Sequence, residues 1–215
     1  WFNKIWISIG FVSGRSAIAS APGVILGSEA MRTMEAITED VAVKFCERCD
    51  WAYETWVTHK FLFDENKTPE NDVGKSVYLT NRLSIITQEY CLQQIGKLHD
   101  PAKHGKSRNL SIDYMVQHGD WGERTDDIKK IQDKLSVLWD HLKPARHKAL
   151  AHNDLETLMA DTVLGSFPEG IDEQYFGALQ ELVNEVHEKW SGEPFPFDDL
   201  AKADVFEFLS LLQRA

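Results

Sequence analysis

Ile128, Ile131, Leu135, Leu138 and Leu142 recur at steps of three and four residues. That spacing puts all five on one stripe of an α-helix, whereas a strand would scatter them over both faces. Asp126, Lys129, Lys130, Asp133 and Lys134 fall off the stripe. A second stripe of the same kind runs through Phe176, Leu179, Val183, Val186 and Trp190. Apolar stripes this regular must be buried against other helices, and no alternating or β-branched run is long enough to build a sheet. The chain is therefore expected to be all-α, a helical bundle of about six helices.

The punctuation between stripes sets the expected boundaries. Met34, Ile37, Val41, Phe45, Ala52 and Trp56 predict a first helix over about 29–62. A polar stretch with Pro69, over 64–72, separates it from a second helix over about 73–98, whose stripe is Leu79, Leu83, Ile86, Tyr90, Leu92, Ile95 and Leu98. Residues 99–109 read as a basic loop, and Ser111 as the cap of a short helix through Val116. The stripe at Ile128 predicts a helix over about 125–142. Proline is tolerated in a first helical turn, where its missing N–H costs nothing. Pro144 therefore predicts that a new helix starts there, over about 145–162, folded back as an antiparallel hairpin or after a sharp bend. A linker over 165–170 and helices over about 172–190 and 198–213 complete the domain, 29–215.

Residues 1–28 stand apart as an extension. They lack an initiator Met, and Lys4, the apolar stretch 5–12 and Ala19-Ser-Ala21 have the order of a secretory signal. The stretch is short and broken by Ser8 and Gly10, which equally suits an upstream translated tail. Both readings stay open.

Composition excludes some roles. With 43% apolar residues in 215 the chain can bury a real core. A formal net charge of -11 suits a soluble cytoplasmic protein and opposes broad binding to nucleic acid, so any such contact must use a local basic patch. No apolar run is long enough to span a bilayer, so no membrane partner is expected. Cys46 and Cys49 have metal or redox spacing, but no second pair follows; on a helix they simply lie one turn apart.

Against that acidic background, 141–153 holds His141, Lys143, Arg146, His147, Lys148 and His152, with no carboxylate before Asp154. An imidazole moves protons at neutral pH, and a guanidinium holds phosphate oxygens and stabilises charge developing on phosphorus. Together they suit phosphoryl transfer without a metal. On an ideal α-helix Arg146 and His152 are separated by about 9 Å of rise and about 120°; Asn153 lies on the arginine's face. His147 and His152 are five apart, which does not match ligand spacing on one face, so no metal or other cofactor is expected. The alternative is structural: His152 bonded to a carbonyl inside the bundle, Arg146 paired with a surface carboxylate such as Asp140.

At this motif the sequence resembles the HEPN superfamily, whose signature is Arg, four to six residues, then His, with a polar residue directly after the Arg. Arg146, His147 and His152 match it. A longer likeness runs through Ile95-Gly-Lys-Leu-His-Asp100-Pro101, Gly105-Lys-Ser-Arg108-Asn109-Leu110-Ser111 and Arg146-His-Lys-Ala-Leu-Ala-His152. It is similar to the AbiU-type branch linked to abortive infection of phage-attacked bacteria, over about 30–190. The resemblance implies a HEPN-like bundle that often dimerises and a metal-independent endoribonuclease of an antiviral defence or toxin–antitoxin system. RNA, either tRNA or mRNA, would be the substrate, a second copy the expected partner, and an antitoxin a further one. Catalysis would fall to Arg146 and His152, with His147 as polar companion. Apart from the resemblance, the net acidity leaves RNA to be met by the basic residues Lys103, Lys106, Arg108 and Lys148, and helix geometry adds Asn153. Some members of the superfamily only bind nucleotide, RNA or a partner protein, and that remains the alternative.

Overall fold

The computed structural model describes residues 37–65, 77–150, 155–159 and 164–214. The expected extension over 1–28 and most of the loop over 64–72 lie outside them, as do His152 and Asn153. Helix α1 (Glu39–His59) begins where Thr38 accepts the N–H of Val41, with Glu39 and Asp40 in its first turn. It widens into a π-turn at Lys60–Asp64. Helix α2 (Val77–Leu98) leads through the turn at 99–102 into a two-residue ribbon, β1 (Lys103–His104) against β2 (Ser107–Arg108). Helix α3 (Ile112–His118) is capped by Ser111, whose hydroxyl accepts the N–H of Tyr114. A short 3-10 turn (Gly122–Arg124) opens α4 (Thr125–Ala145), and a second π-turn follows at Arg146–Leu150. Helices α5 (Leu155–Met159), α6 (Ile171–Ser191) and α7 (Leu200–Arg214) complete the described chain.

Helix α1 is the centre of the packing. It lies against α2, α6 and α7, α6 lies in turn against α4, and α7 also packs on the π-turn that ends α1. The stripes that predicted the helices fill the space between them. Ile128, Leu135, Leu138 and Leu142 of α4 meet Phe176, Leu179, Val183 and Val186 of α6 in a core with Phe45, Ala52 and Trp56 of α1. Each burial of a large aliphatic side chain stabilises by about 1.5–3 kcal/mol, which holds helices of modest propensity in place. The indole N–H of Trp56 donates to the buried carboxylate of Asp172 at 3.0 Å, and its ring stacks on Phe176 at 4.5 Å. Phe167, buried in the linker before α6, pins that connection to the core.

Several sequence expectations are corrected. The helix does not restart at Pro144: α4 runs through it to Ala145 and passes directly into the π-turn. Pro144 sits in the last turn, so its missing N–H deprives only the carbonyl of Asp140 of an i−4 partner, and Asp140 is exposed to water. The first half of the expected α2 stripe is not core; Leu79, Leu83, Ile86 and Tyr90 are exposed, and burial begins at Cys91. The loop over 99–109 contains the small ribbon, which an all-polar run gives no period to predict. Cys46 and Cys49 lie one turn apart on α1, as the spacing predicts, and both are in the core; burial pushes the Cys46 thiol up to about 12 and Cys49 well above its usual range, which removes thiolate character.

Candidate functional site

The end of α2, the start of the second π-turn and one face of α4 meet at Arg146. Its Nη2 donates to the Asp100 carboxylate at 2.5 Å, and both side chains are about one-quarter exposed (27% and 26%). The structural alternative has Arg146 paired with a surface carboxylate such as Asp140; its partner is the carboxylate of Asp100, 46 residues away. The reason is where the arginine stem goes. It crosses α2 at Gly96, where an added Cβ would fall 2.9 Å from both Cδ and Nε of Arg146. A side chain there would clash, so the bare helix backbone is what admits the guanidinium to Asp100. Trp139 of α4 lies beneath, its ring 5.8 Å from the guanidinium carbon.

His99 completes the wall. Its ring stacks flat on Trp139, with centroids 5.0 Å apart and planes 7° apart. Its Nε2 is 3.1 Å from the hydroxyl of the buried Tyr175. Burial, followed by the charge of Arg146, drives its pKa down to about 3. His99 is therefore neutral at physiological pH, and a hydrogen bond joins its Nε2 and the Tyr175 hydroxyl. His99 serves as packing for the arginine pocket rather than as a proton donor.

Five of the other candidate residues are described. His147 and Lys148 follow Arg146 on the π-turn and are exposed. Lys103 pairs with Arg108 across the ribbon, and Lys106 is in its turn, all three exposed. Gly105, at φ 59°, supplies the left-handed conformation that a two-residue ribbon turn requires. The ribbon is tied to the pocket: Asn109 donates its side-chain N–H to the Pro101 carbonyl at 2.8 Å and its backbone N–H to Ala102. Lys103 follows Asp100 by three residues, at most about 11 Å of chain. The π-turn also changes the expected geometry, because α-helical rise and rotation do not apply over Arg146–Leu150.

The AbiU2 model of HEPN domains matches residues 34–209. The chain belongs to the AbiU2 family of HEPN domains. It is thus a HEPN module related to abortive infection. No curated protein and no solved structure matches this AbiU2-family chain. No helix among its described residues is long and apolar enough to cross a membrane.

Gly96, His99, Trp139 and Tyr175 were not singled out by sequence as site residues. One signal was present: a lone glycine inside an apolar helical stripe marks a close approach. What approaches it belongs to tertiary structure.

Proposed function

We propose that this AbiU2-family protein is a metal-independent endoribonuclease of an antiphage or toxin system, acting in the cytoplasm. The observation that carries the proposal is the seating of Arg146. The arginine that matches the HEPN signature is half-withdrawn against α2 and α4, and the turn that supplies its partner Asp100 leads into an exposed basic ribbon on an otherwise acidic chain. A guanidinium so placed suits an RNA phosphate. In the proposed reaction the ribose 2′-OH attacks the adjacent phosphorus, and the P–O5′ bond breaks. The products are a 2′,3′-cyclic phosphate and a 5′-OH. His152 takes the 2′-OH proton or protonates the leaving oxygen, Arg146 stabilises charge on the phosphoryl oxygens, and His147 orients the phosphate. Lys103, Lys106, Arg108, Lys148 and Asn153 would hold the strand, which is tRNA or mRNA. A second copy of the chain would bring a matching motif to the site, and an antitoxin would restrain it.

The test is to incubate wild type, Arg146→Ala and His152→Ala with total bacterial RNA and tRNA in EDTA and then analyse the fragment ends. Cleavage by wild type alone, with cyclic phosphate and 5′-OH ends, is expected. Equal cleavage by all three proteins would place the chemistry elsewhere.

A second reading, a module that binds RNA, nucleotide or a partner protein without turnover, is favoured by one observation: Arg146 already has a carboxylate partner in Asp100. It predicts retention of RNA by wild type with no fragments.

A further inference from the structure

We infer that Asp100 is a positioning residue for Arg146, holding the guanidinium against α2 so that its other N–H donors remain available to an RNA phosphate. The inference rests on the proposed RNA-directed function of the site. Arginine has five N–H donors in a rigid fork. Asp100 engages Nη2 through one oxygen, so the pair is not the closed two-bond clamp that would consume an edge of the fork. Gly96 fixes the stem and Trp139 the face, leaving Asp100 to set rotation about the end of the side chain.

Asp100 is itself braced. Its N–H bonds the Lys97 carbonyl, the next residue is Pro101 with a restricted φ, and Asn109 clamps the Pro101 carbonyl from the base of the ribbon. The carboxylate thus comes from a fixed turn rather than a free side chain on a helix surface. An unrestrained arginine carries rotamer entropy that phosphate binding would have to remove. The three-sided seat removes much of it beforehand, which is how positioning raises a rate without adding a contact. The same turn starts the ribbon that carries Lys103, Lys106 and Arg108, so strand-holding charges and the arginine share one rigid origin.

The experiment compares wild type, Asp100→Asn, Asp100→Glu and Arg146→Ala in the full chain. Single-turnover cleavage of a mixed-sequence oligoribonucleotide is measured in EDTA. Affinity is measured with the same oligomer fully 2′-O-methylated, which cannot react. Asp100→Asn keeps the shape and loses the charge. It is expected to slow cleavage about tenfold or more while affinity changes less than about threefold, with Asp100→Glu recovering part of the rate. Cleavage at the wild-type rate, or faster cleavage with tighter binding, would overturn the inference and make Asp100 a competitor for the arginine. Should wild type cleave nothing, the nuclease proposal fails. The seat is then decided on the Arg146 Nε–H resonance of labelled protein. A sharp signal in wild type that broadens in Asp100→Asn supports positioning, and the same signal in both overturns it.

Discussion

The ring of His99 lies parallel to that of Trp139, 5.0 Å away, and is held there in its neutral form beside the cationic Arg146. Burial and the arginine both oppose its protonation, so its pKa falls from the usual 6.5 to about 3. In the unfolded chain the same imidazole takes a proton below about 6.5. Stability from this residue is therefore present above pH 6.5 and is lost as pH falls towards 3. His99→Phe keeps the stack and removes the titration. Between pH 7 and pH 4 the variant is expected to gain up to about 3 kcal/mol relative to wild type, at about 1.4 kcal/mol per pH unit. Thermal unfolding at several pH values checks this; parallel pH curves would contradict it.

Asp50 has the opposite sign. Burial first, then the charges of Glu54 and Asp198, raise its pKa from 3.8 to about 6. The folded state then holds this proton more tightly than the unfolded one, so stability is lost as pH rises from about 4 through 6. Asp50→Asn is expected to raise stability at pH 7.5 by on the order of 1 kcal/mol after solvent screening. That corresponds to about 2–4 °C in Tm. The gain should vanish at pH 4, where both proteins carry a neutral group.

Trp56→Phe retains the stack on Phe176 and removes the donor to Asp172. The carboxylate would be left buried without that bond, a loss of about 1–3 kcal/mol. Urea unfolding measures it. A shifted midpoint with an unchanged slope is expected.

Gly96→Ala separates folding from function. Alanine favours the helix interior by about 0.5–1 kcal/mol, but its Cβ would occupy the path of the Arg146 stem. The variant is expected to stay folded, with Tm within a few degrees of wild type, while RNA cleavage falls towards the level of Arg146→Ala. Wild-type cleavage would show that the arginine has another route to its place.

Charge on the ribbon should govern salt dependence. Exchanging Lys103, Lys106 and Arg108 for Glu is expected to weaken RNA binding and flatten the plot of log affinity against log salt. With about 0.7 per phosphate contact on a single strand, the slope should drop by about 2. Circular dichroism should not change, because all three side chains are exposed.

The helices were legible where a stripe runs at constant phase. The stripes of α4 and α6 and the Ser111 cap could be read from spacing and residue type alone, because those signals are local. The beginning of α2 misled: Leu79, Leu83 and Ile86 keep the period but lie exposed, and period reports a shared face without saying what covers it. Pro144 misled because proline is free of cost only where no helical turn precedes it, and α4 continues through it with the loss of one bond. At the site, Arg146 was legible as a motif residue, and its partner was not. Asp140 is near in sequence, but Asp100 becomes near only after α2 and α4 pack and Gly96 leaves a passage.

The expanded turn at Arg146–Leu150 bears on how such motifs should be counted. A π-turn closes its bonds one residue later than an α-turn, so it stores one residue without moving its ends as an extra α-helical residue would. In a continuous α-helix each inserted residue swings everything downstream by about 100°. A turn that absorbs the insertion lets the interval after the arginine lengthen by one while its angular bearing is nearly conserved. Spacing in letters and spacing in direction are therefore different measures here. A signature that tolerates a variable gap after its arginine is what a chain with such an elastic turn can accommodate.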